Sequence, residues 1–164
     1  MYITEKYWGN YIGDTDDSLT LEEYLTGKHK EELPVAEIFS DFGLDQLQGN
    51  FRQPEQPLVF VNEEEWEFPI YYAIDLITDL AALLLECKVN GSVDLQELCK
   101  DDEVDGLIRI TTTPEEHTLI NETLKDFALS PLAYDVSEMD TKEHMKEMAA
   151  VCEELRQELY GSSR

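Results

Sequence analysis

Basic residues are scarce in this chain: 12 Lys and Arg stand against 37 Asp and Glu among 164 residues, for a formal charge of −25. A nucleic-acid binder needs clustered cations to displace the counterions of the phosphates, and an anionic membrane surface attracts the same groups. Neither partner class is expected as a direct ligand. Cysteine is equally sparse. Cys87, Cys99 and Cys152 are an odd number without close spacing, so they supply no disulfide framework and read as reduced thiols packed as small hydrophobes. His29, His117 and His144 stand apart from one another and from cysteine, which leaves zinc without a ligand set. The opening MYITEKYWGNYIG lacks the basic start and apolar core of a signal peptide, so a cytoplasmic location is expected.

A membrane span is missing too. The longest apolar stretch, Ile70 to Cys87, is interrupted by Asp75, Asp79 and Glu86, whose burial in lipid would be costly. There is no GxSxG elbow, no GxxxxGK[ST] loop and no GxGxxG turn. Serine hydrolysis and nucleotide binding therefore have no local support, and no cofactor is expected.

What is present is enough to fold. Hydrophobic residues make up 42% of the chain and aromatics 10%, and the apolar runs keep helical spacing, unlike those of disordered acidic chains. The length suits one domain spanning residues 1–164. Carboxylates outnumber cations on both sides of Phe68, so the acidity belongs to the whole chain and not to a tail.

Tyr2 to Ile12 reads as irregular or extended. Asp14, Thr15, Asp16, Asp17 and Ser18 form a polar turn that caps a short helix, Leu19 to Leu25, ended by Gly27. A second short helix starts near Pro34, presents Val35, Ile38, Phe39 and Phe42 to one side, and stops at Gly43. Gly49 to Pro57 is loop. Leu58 to Asn62 and Glu65 to Phe68 pattern as a hairpin. Pro69 then opens a long central helix that Asn90 and Gly91 terminate. Ser92 caps a short helix through Leu98, and Leu107 to Thr112 alternates as a strand. Thr113, Pro114 and Glu116 mark the start of a helix to Leu129. The last helix begins near Asp140 or Thr141 and ends at Gly161, with Met145, Met148, Cys152, Leu155 and Leu159 on a narrow stripe. The expected fold is α+β: about six helices around the central one, with a small sheet of two to four strands.

Several clusters invite a chemical reading. Asp14, Asp16, Asp17, Ser18 and Glu22 resemble a calcium loop, but in the EF-hand register the position that requires Gly holds Leu19 and the one that requires Glu holds Leu25. A capping turn is the better reading. Asp75 and Asp79, on the inner stripe of the central helix, are the carboxylate pair that a hydrolase would need, with or without a metal; hydrogen bonding to backbone or to Arg109 is the structural alternative. Two acidic turns carry more information. Glu63, Glu64 and Glu65 precede Trp66, which joins charge to a large aromatic anchor, and Asp101, Asp102, Glu103 and Asp105 form the densest negative run. These residues are the candidate partner-binding set, against the common outcome of a merely solvated loop.

Three segments, YWGNYIGDTDDSLTLEEYL (Tyr7 to Leu25), DLITDLAALLLECKVNG (Asp75 to Gly91) and AAVCEELRQELYG (Ala149 to Gly161), together resemble bacterial immunity proteins encoded beside polymorphic or contact-dependent growth-inhibition toxins. The resemblance implies a small cytoplasmic protein that neutralises a cognate toxin domain, commonly a basic nuclease, by covering its active site or an exosite. The charge leads independently to a basic protein partner, since a long-range negative field speeds such an encounter. Other expectations stay open: an adaptor or subunit of a cytoplasmic complex, or a carboxylate-dependent hydrolase.

Overall fold

The structure, a computed structural model, describes residues 1–161. Its centre is α4 (Ala73–Asn90), in which every side chain from Ala73 to Glu86 is buried. An apolar helix of this kind is stable when neighbours cover its whole circumference. Here α1 (Tyr2–Lys6), α2 (Asp16–Lys28), α6 (Pro114–Leu129) and α7 (Lys142–Tyr160) all pack on it, together with strand β5 (Leu107–Thr111). Truncating a core leucine such as Leu80 or Leu83 to Ala would cost about 2–5 kcal/mol, the lost transfer energy plus the cavity left behind.

Five strands form two small sheets among the described residues. In one, β5 lies between β1 (Glu32–Pro34), parallel to it with Leu33 opposite Ile110, and β4 (Val93–Asp94), antiparallel with Val93 opposite Ile108. Ile108 and Ile110 face the core while Leu107 and Arg109 face solvent, the alternation expected of a half-buried strand. The other sheet is the hairpin β2 (Leu58–Val61) and β3 (Glu67–Ile70), with Phe60 opposite Phe68. Helices α3 (Val35–Phe42) and α5 (Leu95–Cys99) complete the α+β architecture that the pattern predicts, now with seven α-helices among the described residues.

Most boundaries follow the local signals. Gly43 and Gly91, both in the left-handed region at φ 88°, end α3 and α4. Thr113 and Glu116 cap α6 reciprocally. Four expectations need correction. Tyr2–Lys6 is helical, because α1 docks on α4: buried Glu86 accepts the Ile3 N–H at 2.9 Å, and Glu158 of α7 accepts from the hydroxyls of Tyr2 and Tyr7. Helix α2 runs through Gly27 and ends at His29, at φ 52°, since Tyr24 and Leu25 are anchored in the core and hold the following turn in register. Pro69 does not open α4; it lies opposite Val59 in β3, an edge strand of a two-stranded sheet, where proline is tolerated. Asp94 takes the place expected of Ser92, its carboxylate accepting from the N–H groups of Gln96 and Glu97.

Candidate partner-binding face

The turn after β2 is preorganised by its own side chain. The Asn62 carboxamide oxygen accepts the N–H groups of Glu64 and Trp66, each at 2.9 Å, and Glu65 sits in the left-handed region at φ 66°. Glu63, Glu64 and Glu65 are all exposed, and Trp66 keeps 66% of its surface in solvent. An indole held in water by an ordered turn loses little entropy on meeting a partner. The second acidic segment follows Lys100, whose left-handed conformation (φ 53°) ends α5. Asp101 accepts the Glu103 N–H at 2.9 Å, and Asp101, Asp102, Glu103 and Asp105 are exposed. Leu107, just beyond, is 60% exposed. Among the described residues none of these carboxylates is in an ion pair, whereas Glu32, Glu37, Asp41, Asp126, Glu153 and Glu158 each hold a cation.

The fold brings the two segments to one region through the end of α2. A groove of about 450 Å³ lies between Glu63 and Glu64 on one side and His29 and Lys30 on the other, with Phe60 and Lys28 among its lining. A second, of about 620 Å³, lies between the same His29 and Lys30 and the Asp105 to Leu107 segment. His29 and Lys30 thus line both grooves, with Glu63 and Glu64 across the first and Asp105 across the second. Glu63, Glu64 and Asp105 line these grooves; Glu65, Trp66, Asp101, Asp102 and Glu103 lie in the same turns but line neither. Lys28 adds little positive field, because Glu37 and Asp41 hold it at 2.7 and 2.9 Å and its ammonium lies over the rings of Tyr24 and Phe60. Sequence reasoning missed His29 and Lys30, for their role depends on where α2 stops.

The inner carboxylates form a separate, interior arrangement. Asp79 accepts from the Gly13 N–H at 3.1 Å and from Ser18 Oγ at 2.7 Å. Asp17 accepts the N–H groups of Tyr71 and Tyr72 at 2.7 and 3.0 Å, just before α4 begins, where the helix dipole favours negative charge. Its carboxyl group also lies beside that of Asp75. Burial pushes all three upward from the ordinary carboxylate range, Asp79 to about 8. For Asp75 the charge of Asp79 is the next contribution. Arg109 takes no part; it pairs with Glu32 at 2.6 Å on the surface. With Asp75 4% and Asp79 1% exposed, the arrangement joins α2 to α4 and offers no open side to a substrate. Among the described residues no three His, Cys, Asp or Glu side chains are grouped to hold a metal ion. Among the same residues no helix is long and apolar enough to cross a membrane.

Comparison with protein-family models gives a match to the family described as immunity protein 68, over residues 2–159. No curated protein and no solved structure matches.

Proposed function

The chain belongs to the immunity protein 68 family, and from that premise we propose that it neutralises one cognate toxin domain by tight, charge-steered protein binding, with the two acidic turns as its contact face. The family implies toxin neutralisation in general and is generally non-enzymatic. The observation that carries the finer reading is the convergence of unpaired acidic segments on the two grooves that meet at His29 and Lys30. A basic toxin domain, such as a nuclease, is the partner this field would attract, with Trp66 and Leu107 as apolar anchors inside the charged surround. The whole chain acts as one domain in the cytoplasm, needing no cofactor and touching neither nucleic acid nor membrane.

The test is co-expression of the protein with the toxin domain encoded beside it, scored by survival, followed by copurification at low and high salt. Protection together with a stable complex is the expected result. Loss of growth despite folded protein, or copurification of a housekeeping complex in place of the toxin, would overturn the proposal and favour an adaptor role.

A further inference from the structure

An apolar depression larger than either acidic groove lies between α6, the turn Pro131–Ala133 and α7, and shares no lining residue with them. Its volume is about 760 Å³. Ala149 and Ala150 keep the α7 side low, while Leu129 and Leu132 are 74% and 47% exposed along the opposite side. Large aliphatic side chains left in water beside a groove of this size mark a contact surface more often than chance. The charge around it runs against the rest of the molecule. Lys125, Lys146 and Arg156 border the groove and Glu153 is its one acidic residue, in a chain whose formal charge is −25. Arg156 is held by Glu153 at 2.7 Å, but Lys125 and Lys146 are in no ion pair among the described residues.

We propose that this groove docks an acidic amphipathic segment of a partner protein, its apolar side chains against Leu129, Leu132 and Ala150 and its carboxylates toward Lys125 and Lys146. Charge complementarity selects this occupant. A second copy docking through the same patch would set Lys125 and Lys146 against their own counterparts. A basic segment would meet two ammonium groups at the rim that are in no ion pair among the described residues. An acidic segment is repelled by the molecule at long range, yet at physiological salt that repulsion is screened beyond about 8 Å, and the local cations decide. The inference is independent of the acidic face and of the toxin.

The test uses model peptides with one apolar face and with Glu, Gln or Lys on the polar face, titrated into isotopically labelled protein near physiological salt and followed by amide chemical shifts. The expected result is saturable shifts confined to the groove with the Glu peptide. Removing both free cations (Lys125→Gln with Lys146→Gln) should weaken that binding about fivefold, the scale of two rim charge pairs. Ala150→Trp, an exposed position that fills the groove without touching the core, should abolish it. Absence of groove shifts with the Glu peptide would overturn the proposal, and so would equal groove binding by the Lys peptide. Groove shifts produced by decanoate but not by the peptide would reassign the site to small anionic amphiphiles. Concentration-dependent self-association removed by Ala150→Trp would reassign it to a second copy.

Discussion

Ser18 donates its hydroxyl to Asp79 at 2.7 Å, joining the first turn of α2 to the middle of α4 where neither residue meets water. The same Ser18 closes a capping box with Thr15, and the other Asp79 oxygen holds Gly13. One carboxyl group therefore ties down the whole approach to α2. Replacing Asp79 with Ala removes the acceptor of the half-buried Gly13 N–H and leaves the buried Ser18 hydroxyl with Thr15 alone, at a cost of about 1–3 kcal/mol. Asp79→Asn retains an acceptor and should cost about 1 kcal/mol. Urea unfolding of the two variants checks the order; equal losses would mean that the hydrogen bonds contribute nothing.

Stability should fall as pH rises from about 4 toward 8. Asp17, Asp75 and Asp79 are all raised by burial, Asp79 to about 8, so the folded state keeps protons that the unfolded chain has released. Their contribution is fully present below the ordinary carboxylate value and is lost as pH climbs through the folded values, with a slope of at most about 1.4 kcal/mol per pH unit for each proton retained. Asp17 and Asp75 are neighbours, so ionising one holds the other's proton more firmly. Glu37, Asp126, Glu153 and Glu158 are lowered and act oppositely, losing stability as pH falls below about 4, but their pairs lie at the surface and count for little. Urea midpoints between pH 5 and pH 8.5 should decline, and the decline should flatten in Asp75→Asn. A midpoint that rises over this range would show that the buried carboxyl groups are ionised in the native state.

The acidic face makes a kinetic prediction. Charge reversal of Glu63, Glu64 and Glu65 to Lys, or separately of Asp101, Asp102 and Glu103, should slow association with the toxin domain about tenfold at low salt and much less at high salt, as expected of a steering field. Trp66→Ala should act on dissociation instead, about thirtyfold faster if the indole is a central anchor. Stopped-flow binding separates the two effects. Two folded charge-reversal variants that associate like the parent would remove the acidic turns from the interface.

What the sequence made legible was local. Pro34 with Gly43, Thr113 with Glu116, and the Asn90–Gly91 stop delimit α3, α6 and α4 because capping and left-handed termination act within one turn. The acidic turns were legible as exposed charge for the same reason. Helix α1 was not, since what holds Tyr2–Lys6 is Glu86, far along the chain. Gly27 looked like a helix end because propensity favours one there, and tertiary anchoring of Tyr24 and Leu25 overrides a preference of about 1 kcal/mol. Asp17 read as one more member of a capping cluster, yet it is buried and reaches Tyr71 and Tyr72. The signal that could have found it was the pair of carboxylates on the otherwise apolar α4, which had to have buried partners somewhere.

Gly13 and Gly9 should respond differently to the same substitution. Both have positive φ, 82° and 95°, so Ala at either position meets the ordinary left-handed penalty of about 1 kcal/mol. At Gly9 a Cβ would have no atom within 4 Å, and that penalty is all it should cost. At Gly13 the Cβ would lie 2.2 Å from the ring of Trp8, which is 7% exposed and cannot turn away without leaving the core. The backbone would have to shift, and with it the Gly13 N–H that Asp79 accepts. Gly13→Ala should therefore cost about 3 kcal/mol, combining overpacking with a weakened, half-buried hydrogen bond. Carrying both substitutions on a Trp66→Phe background leaves Trp8 as the sole indole, so its emission reports the displacement directly. A red shift in Gly13→Ala with none in Gly9→Ala is the expected outcome. Equal stability of the two variants would mean that the Trp8 ring is free to move and that the Gly13 turn does not set the position of α2.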